Sequence, residues 1–149
     1  MIADPQSNPA AVELGNFFPR PPVAVWRALT EPDLLARWLL RPTGFEPSAG
    51  TRFRFTAAVS EVDEVTCEVL AARPFEQLTY SWTYSRAAHP TPWIVDWALW
   101  PQGRGTRLLL THTGFDIADR RQRMVRNAME RGWKRRVLPR LEEVMRPSG

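Results

Sequence analysis

The chain has 149 residues, a length that suits one domain around one core, with 44% hydrophobic residues and a formal net charge of +4. Its single cysteine excludes an internal disulfide, and one Cys with two His cannot assemble a structural zinc site. No apolar run approaches the ~20 residues of a membrane helix, and Met1 to Asn8 show no secretory signal, so a cytoplasmic protein is expected.

Residues 1–9, with Pro5, Ser7, Asn8 and Pro9, read as a flexible tail ahead of a single domain over 10–146. Val12 to Arg20 is the first expected strand. Pro22 then opens a helix carrying Val25, Trp26 and Leu29 at helical spacing, because its missing N–H would be unpaired there anyway. Thr30-Glu-Pro32 stops that helix, since the residue before a proline is pushed out of the α region. A second short helix follows, with Asp33 expected as its cap and Leu34, Leu35 and Trp38 as its buried side. Thr43 to Gly50, with Gly44, Pro47 and Gly50, reads as a loop.

Five strand-like segments come next, at 51–56, 64–70, 78–84, 93–100 and 106–115. Phe53 and Phe55 alternate with Arg52 and Arg54, and Val65, Cys67 and Val69 with Glu64, Thr66 and Glu68. Tyr80 and Trp82, Val95 and Trp97, and Leu108, Leu110 and His112 share the same inward phase on the later strands. Such alternation predicts an antiparallel sheet covered on one face and wet on the other. A long helix is expected from about Ile117 to Met145, capped by Asp116, with Val125, Met129, Trp133, Val137, Leu141 and Val144 on one stripe. Pro139 should kink its last turns, and Arg126 stands where that stripe needs an apolar residue.

Residues 116–149 hold ten basic and five acidic side chains. A basic helix can bind phosphate backbones, but charge runs on helices usually face water, and no specific nucleic-acid partner is expected. No phosphate-cradling Gly loop, HExxH, Gly-x-Ser-x-Gly or CxxC is present, so no catalytic constellation emerges. Cys67, in phase with buried valines, reads as a small core residue. His112 is either a hydrogen-bonded core histidine or a ligand partner and general acid–base in a pocket. Arg126 either snorkels to water or points a guanidinium at a ligand carboxylate.

Four stretches, in order, resemble a known family: Val25-Trp26-x-Ala28-Leu29-Thr30-x-Pro32-x-x-Leu35-x-x-Trp38; Pro74-Phe-Glu-Gln-Leu78-Thr-Tyr80-Ser-Trp82; Gly105-Thr106-Arg-Leu108-x-Leu110-Thr111-His112-x-Gly114-Phe115; and Gly132-Trp133 with Val137 and Leu141. They are similar to the SRPBCC (START-like) superfamily, in the branch named after the activator of heat-shock protein 90 ATPase. The resemblance implies an α+β helix-grip fold. A curved antiparallel sheet would wrap a long C-terminal helix, with two short helices after the first strand and an elongated cavity between sheet and helix. It implies a hydrophobic or amphipathic small molecule as partner, no cofactor, and no transferable catalytic residues. A cyclase or aromatase acting in the same cavity is the alternative function, and a co-chaperone or regulator the weaker one. The monomer and the homodimer both stay open. The candidate cavity surface is Trp38, Phe53, Phe55, Cys67, Tyr80 and Trp82, together with Trp97, His112, Arg126, Met129 and Trp133.

Overall fold

A computed structural model describes residues 9–56, 64–84 and 93–146. The expected tail 1–9 lies, except for its last residue, outside the described residues. The chain runs through β1 (Val12–Phe18), α1 (Pro22–Thr30), α2 (Pro32–Trp38), β2 (Arg41–Thr43), β3 (Arg52–Thr56) and β4 (Val65–Arg73). It continues through β5 (Gln77–Ser81), β6 (Thr83–Tyr84), β7 (Ile94–Gln102) and β8 (Gly105–Thr113). The C-terminal helix follows in three parts: α3 (Arg120–Gly132), a π-helical turn (Trp133–Val137) and α4 (Leu138–Val144). No helix among the described residues is long and apolar enough to cross a membrane.

The strands form one curled antiparallel sheet in the order β1-β8-β7-β5-β4-β3-β2, with β6 also paired to β4. The α+β helix-grip architecture is therefore present, with the helices on the concave, apolar face. Alternation sets that face. In β3, Phe53 and Phe55 are buried, whereas Arg52 and Arg54 reach out to Glu68 at 3.5 Å and Glu64 at 3.0 Å. In β8, Leu108, Leu110 and His112 are buried while Arg107, Leu109 and Thr111 are only half-buried. The register of β4 shifts between Val69 and Ala71. An extra residue in one strand bends it, and the inward phase moves from Val69 to Ala72 across the irregularity.

Pro22 and Pro32 each occupy the first turn of a short helix, and Glu31 between them is extended. Glu31 is the cap position of α2, so Asp33 lies inside the first turn rather than at the cap expected for it. Its carboxylate there still favours the positive end of the helix dipole. The Trp38 indole N–H donates to the Ala28 carbonyl at 2.7 Å and so ties α2 onto α1. The strand expected at 78–84 is interrupted at Trp82, whose backbone N–H turns to the Trp93 carbonyl at 2.9 Å. β2 falls where no strand was expected.

Asp119, not Asp116, caps the long helix, accepting from the Arg121 backbone N–H at 2.9 Å. Asp116 instead accepts from the Ala118 N–H at 3.0 Å in the turn before it. The expected apolar stripe holds only in the second half. Trp133, Leu138 and Leu141 are buried, while Val125 and Met129 are half-buried and α3 has no fully buried residue. The π turn explains the change of register. Leu138 N–H reaches back five residues to the Trp133 carbonyl, which admits one extra residue and sends Leu138 inward. Pro139 follows immediately; it supplies no N–H, and in a regular helix its ring would press on the carbonyl four residues back.

Candidate functional site

The inward aromatic residues meet ring to ring. Phe53 lies 5.2 Å from Phe55 and 5.5 Å from Tyr80, and Phe55 lies 5.8 Å from Trp82, between ring centroids. Trp97 stands edge-on to both Trp38 and Trp133 at 5.6 Å, and Trp82 meets Trp133 at 5.7 Å. Offset and edge-on contacts at these distances are attractive beyond the area they bury. Every one of these residues is buried. Their rings fill the core between sheet and helices, with Cys67 on the neighbouring position of β4 directly opposite Phe53.

The polar atoms inside are held neutral. The Tyr80 hydroxyl accepts from the Trp97 indole N–H at 2.9 Å, and burial pushes its pKa well above the ordinary phenol value. Burial likewise pushes the Cys67 thiol up, so no thiolate nucleophile forms there. His112 is fully buried and its Nδ1 accepts from the Trp133 indole N–H at 3.2 Å. Its proton therefore sits on Nε2, which finds no acceptor among the described residues. Desolvation lowers its pKa from 6.5 to about 3, so the ring is uncharged at neutral pH.

Arg126 is tied to groups of the protein itself. Its guanidinium donates to the Ala11 carbonyl at 2.9 Å and to Glu130 at 2.7 Å, pinning α3 to the start of β1. The apolar gap that the stripe shows at this position is thus filled by a tether. This contact is a third role beside the snorkelling and the ligand carboxylate expected from the sequence.

An opening of about 240 Å³ lies between the sheet and the C-terminal helix. Trp82 and Trp133 wall it, Leu39 and Leu40 after α2 close one side, and Met129, Gly132 and Val137 come from the helix. Arg136 and Arg140 also line it. Of the candidate residues, it brings together Trp82, Met129 and Trp133. Trp38, Phe53, Phe55, Cys67, Tyr80 and Trp97 are not part of its lining; nor are His112 and Arg126. Of the walls expected from the sequence, Phe53 and Phe55 instead pack on each other and on Tyr80, and Trp97 packs between Trp38 and Trp133. No group of three His, Cys, Asp or Glu side chains among the described residues is arranged to hold a metal ion.

The overall fold has known counterparts. The sequence profile described as activator of Hsp90 ATPase homolog 1-like protein matches residues 19–146. The chain belongs to this family. Protein MLL2253 from Mesorhizobium loti is 31% identical, with a TM-score of 0.80 over 91% of this chain and 96% of that one. CalU16 from Micromonospora echinospora is 25% identical, with a TM-score of 0.71 over 92% of this chain and 76% of the other. CV1439 from Chromobacterium violaceum, 23% identical, shares the fold with a TM-score of 0.73 over 95% of this chain and 100% of that chain. No curated protein matches the sequence.

Within this member of the family, sequence reasoning missed Leu39, Leu40, Gly132, Arg136, Val137 and Arg140 as lining residues. One signal for them was present. Gly132 sits between the two halves of a long helical pattern, seven residues before a proline, where a glycine costs about 1 kcal/mol against alanine. Gly132 is helical, with φ −64°, and a Cβ built on it would meet nothing within 4 Å. Packing does not require this glycine, and a side chain there would project into open space at the mouth.

Proposed function

We propose that this protein binds a small apolar or amphipathic molecule in the opening between its sheet and its C-terminal helix, with residues 10–146 acting as one domain. The observation that carries the reading is an apolar opening of about 240 Å³ walled by two indoles and bordered by Gly132. An apolar cavity of ~150 Å³ holds one benzene ring. By that measure the opening suits a body of about ten carbons, such as a fused bicyclic aromatic. A mostly apolar wall with a few polar groups at one side is the usual composition of such sites. The groups a cyclase or aromatase would use to move protons, His112 and Tyr80, lie outside this lining and are hydrogen-bonded to core indoles. Binding without chemistry is therefore the reading the geometry supports best.

The test is titration with 1-naphthylamine, a neutral bicyclic probe of ten carbons, followed by quenching of tryptophan fluorescence. Saturable quenching is expected in the native protein and its loss in Gly132→Leu, whose side chain fills the mouth. The same variant should melt no lower than the native protein, because it replaces a helix-interior glycine in open space. Equal probe affinity in both proteins, or no saturable quenching in either, refutes the reading.

A further inference from the structure

We propose that the opening selects an organic carboxylate, with the apolar body against Trp82 and Trp133 and the anionic end held by Arg136 and Arg140. This rests on the reading of the opening as a ligand site and adds the chemical class of what it takes.

Arg136 lies in the π-helical turn and Arg140 one turn later in α4, four residues apart, and both line the opening. Neither has an ion-pair or hydrogen-bond partner among the described residues. Elsewhere this protein pairs its arginines where a carboxylate is near, as in Arg27–Glu31, Arg54–Glu64 and Arg126–Glu130. None of the residues lining the opening is acidic. An adjoining depression shares Gly132 and Arg136 with the opening and adds Arg131 and Arg135, so positive charge continues along this side of the helix.

Two guanidinium groups at one edge of an apolar hollow repel each other, and each bears five N–H donors with nothing to accept them but water. A carboxylate placed between them accepts charge-assisted hydrogen bonds in the fork geometry that guanidinium offers and cancels the repulsion. The low dielectric of the indole wall strengthens that attraction relative to a fully exposed pair. Size fixes the rest of the class. About ten carbons of apolar body fill 240 Å³, whereas a membrane lipid with two long chains does not fit. A short aromatic or aliphatic monocarboxylate meets both requirements. Arg126, the arginine that the helical stripe brings to notice, is already committed to Ala11 and Glu130 and cannot play this part.

Calorimetric titration with 2-naphthoate and its neutral near-isostere 2-naphthamide tests the proposal in low-salt buffer. The native protein should bind naphthoate roughly tenfold more tightly than naphthamide, the gain of one or two charged hydrogen bonds. That preference should shrink as salt is raised. In Arg136→Gln/Arg140→Gln the two ligands should bind alike, with naphthamide affinity unchanged, which also reports that the variant is folded. In the control Arg131→Gln/Arg135→Gln the preference should survive. Equal affinities in the native protein, a preference that persists in the first variant, or one lost as fully in the control overturns the carboxylate assignment alone. If neither ligand binds the native protein, the reading of the opening as a ligand site fails, and this proposal with it.

Discussion

Replacing Trp133 by Phe isolates the hydrogen bond that joins the C-terminal helix to the sheet. Trp133 is 3% exposed and His112 fully buried, and the indole N–H is 3.2 Å from Nδ1. Phenylalanine keeps an aromatic ring near Trp82 and Trp97 but leaves Nδ1 without a donor, at a cost of about 1–3 kcal/mol. The ring atoms lost add roughly 1–2 kcal/mol at ~0.8 kcal/mol per buried methylene equivalent. A loss of about 2–5 kcal/mol lowers Tm by roughly 5–15 °C in a chain of this length. The pH dependence supplies the second arm. His112 is held at a pKa of about 3 when folded and returns to 6.5 when unfolded. Between those values the unfolded chain binds the extra proton, so stability is full above about pH 6.5 and falls as pH drops toward 3. At about pH 4.5 this residue alone removes roughly 3 kcal/mol, since one pKa unit is worth ~1.4 kcal/mol. Urea midpoints of the native protein, Trp133→Phe and His112→Gln from about pH 7.5 to pH 4.5 read both effects. The glutamine variant lacks the titration, so its deficit against the native protein should narrow by about that amount at the acid end. Parallel pH profiles, or a Trp133→Phe midpoint equal to the native one, refute this account of the pair.

Three other outcomes are expected. Gly105→Ala places a Cβ 2.5 Å from the Phe17 ring and still closer to the Phe18 carbonyl, so the close pairing of β1 with β8 must shift. A fall in urea midpoint equivalent to about 1–3 kcal/mol should follow. Asp119→Ala should cost about 1 kcal/mol through loss of the helix cap, read as a lower thermal midpoint, and should cost more than Asp116→Ala. The arginine-rich helix should give only weak, sequence-blind attraction to a DNA duplex, abolished near physiological salt in an anisotropy titration. Submicromolar, sequence-dependent binding would contradict it.

Much of the fold is written in local patterns that tertiary packing reinforces. Phe53 and Phe55, which alternate with Arg52 and Arg54, and Leu108, Leu110 and His112, which alternate with half-buried Arg107, Leu109 and Thr111, read correctly because one sheet face is dry and the other wet. Pro22 and Pro32 mark helix starts because each fixes the chain where no N–H is needed. β2 was not legible: three residues carry no alternation, and Pro42 argues against a strand except at a sheet edge, which is where it lies. The helix cap was misplaced because Asp116 and Asp119 stand three residues apart and both suit the role until the backbone chooses. The aromatic residues were found by phase, yet phase says only that a side chain faces inward. Whether inward rings fill a core or wall a hollow depends on how far the elements approach, which no alternation encodes.

The irregular turn links these two outcomes. Pro139 leaves the Arg135 carbonyl without its usual donor four residues on, and the helix responds by widening at Trp133–Val137. A regular helix would follow Trp133 into the core with Val137. The extra residue substitutes Leu138, which is buried against the rings, and leaves Val137 half-buried on the opening beside Arg136 and Arg140. The same slip of one residue thus completes the core on one side and builds the mouth on the other. Gly132, immediately before the slip, keeps that mouth free of a side chain. Because Trp133 belongs to both surfaces, its indole packs against Trp97 and donates to His112 on the core side while it walls the opening beside Trp82. The wall of the opening and the hydrogen bond that fastens the C-terminal helix to β8 thus share one indole. In this fold the wall of the opening and the structural clasp are two faces of one side chain.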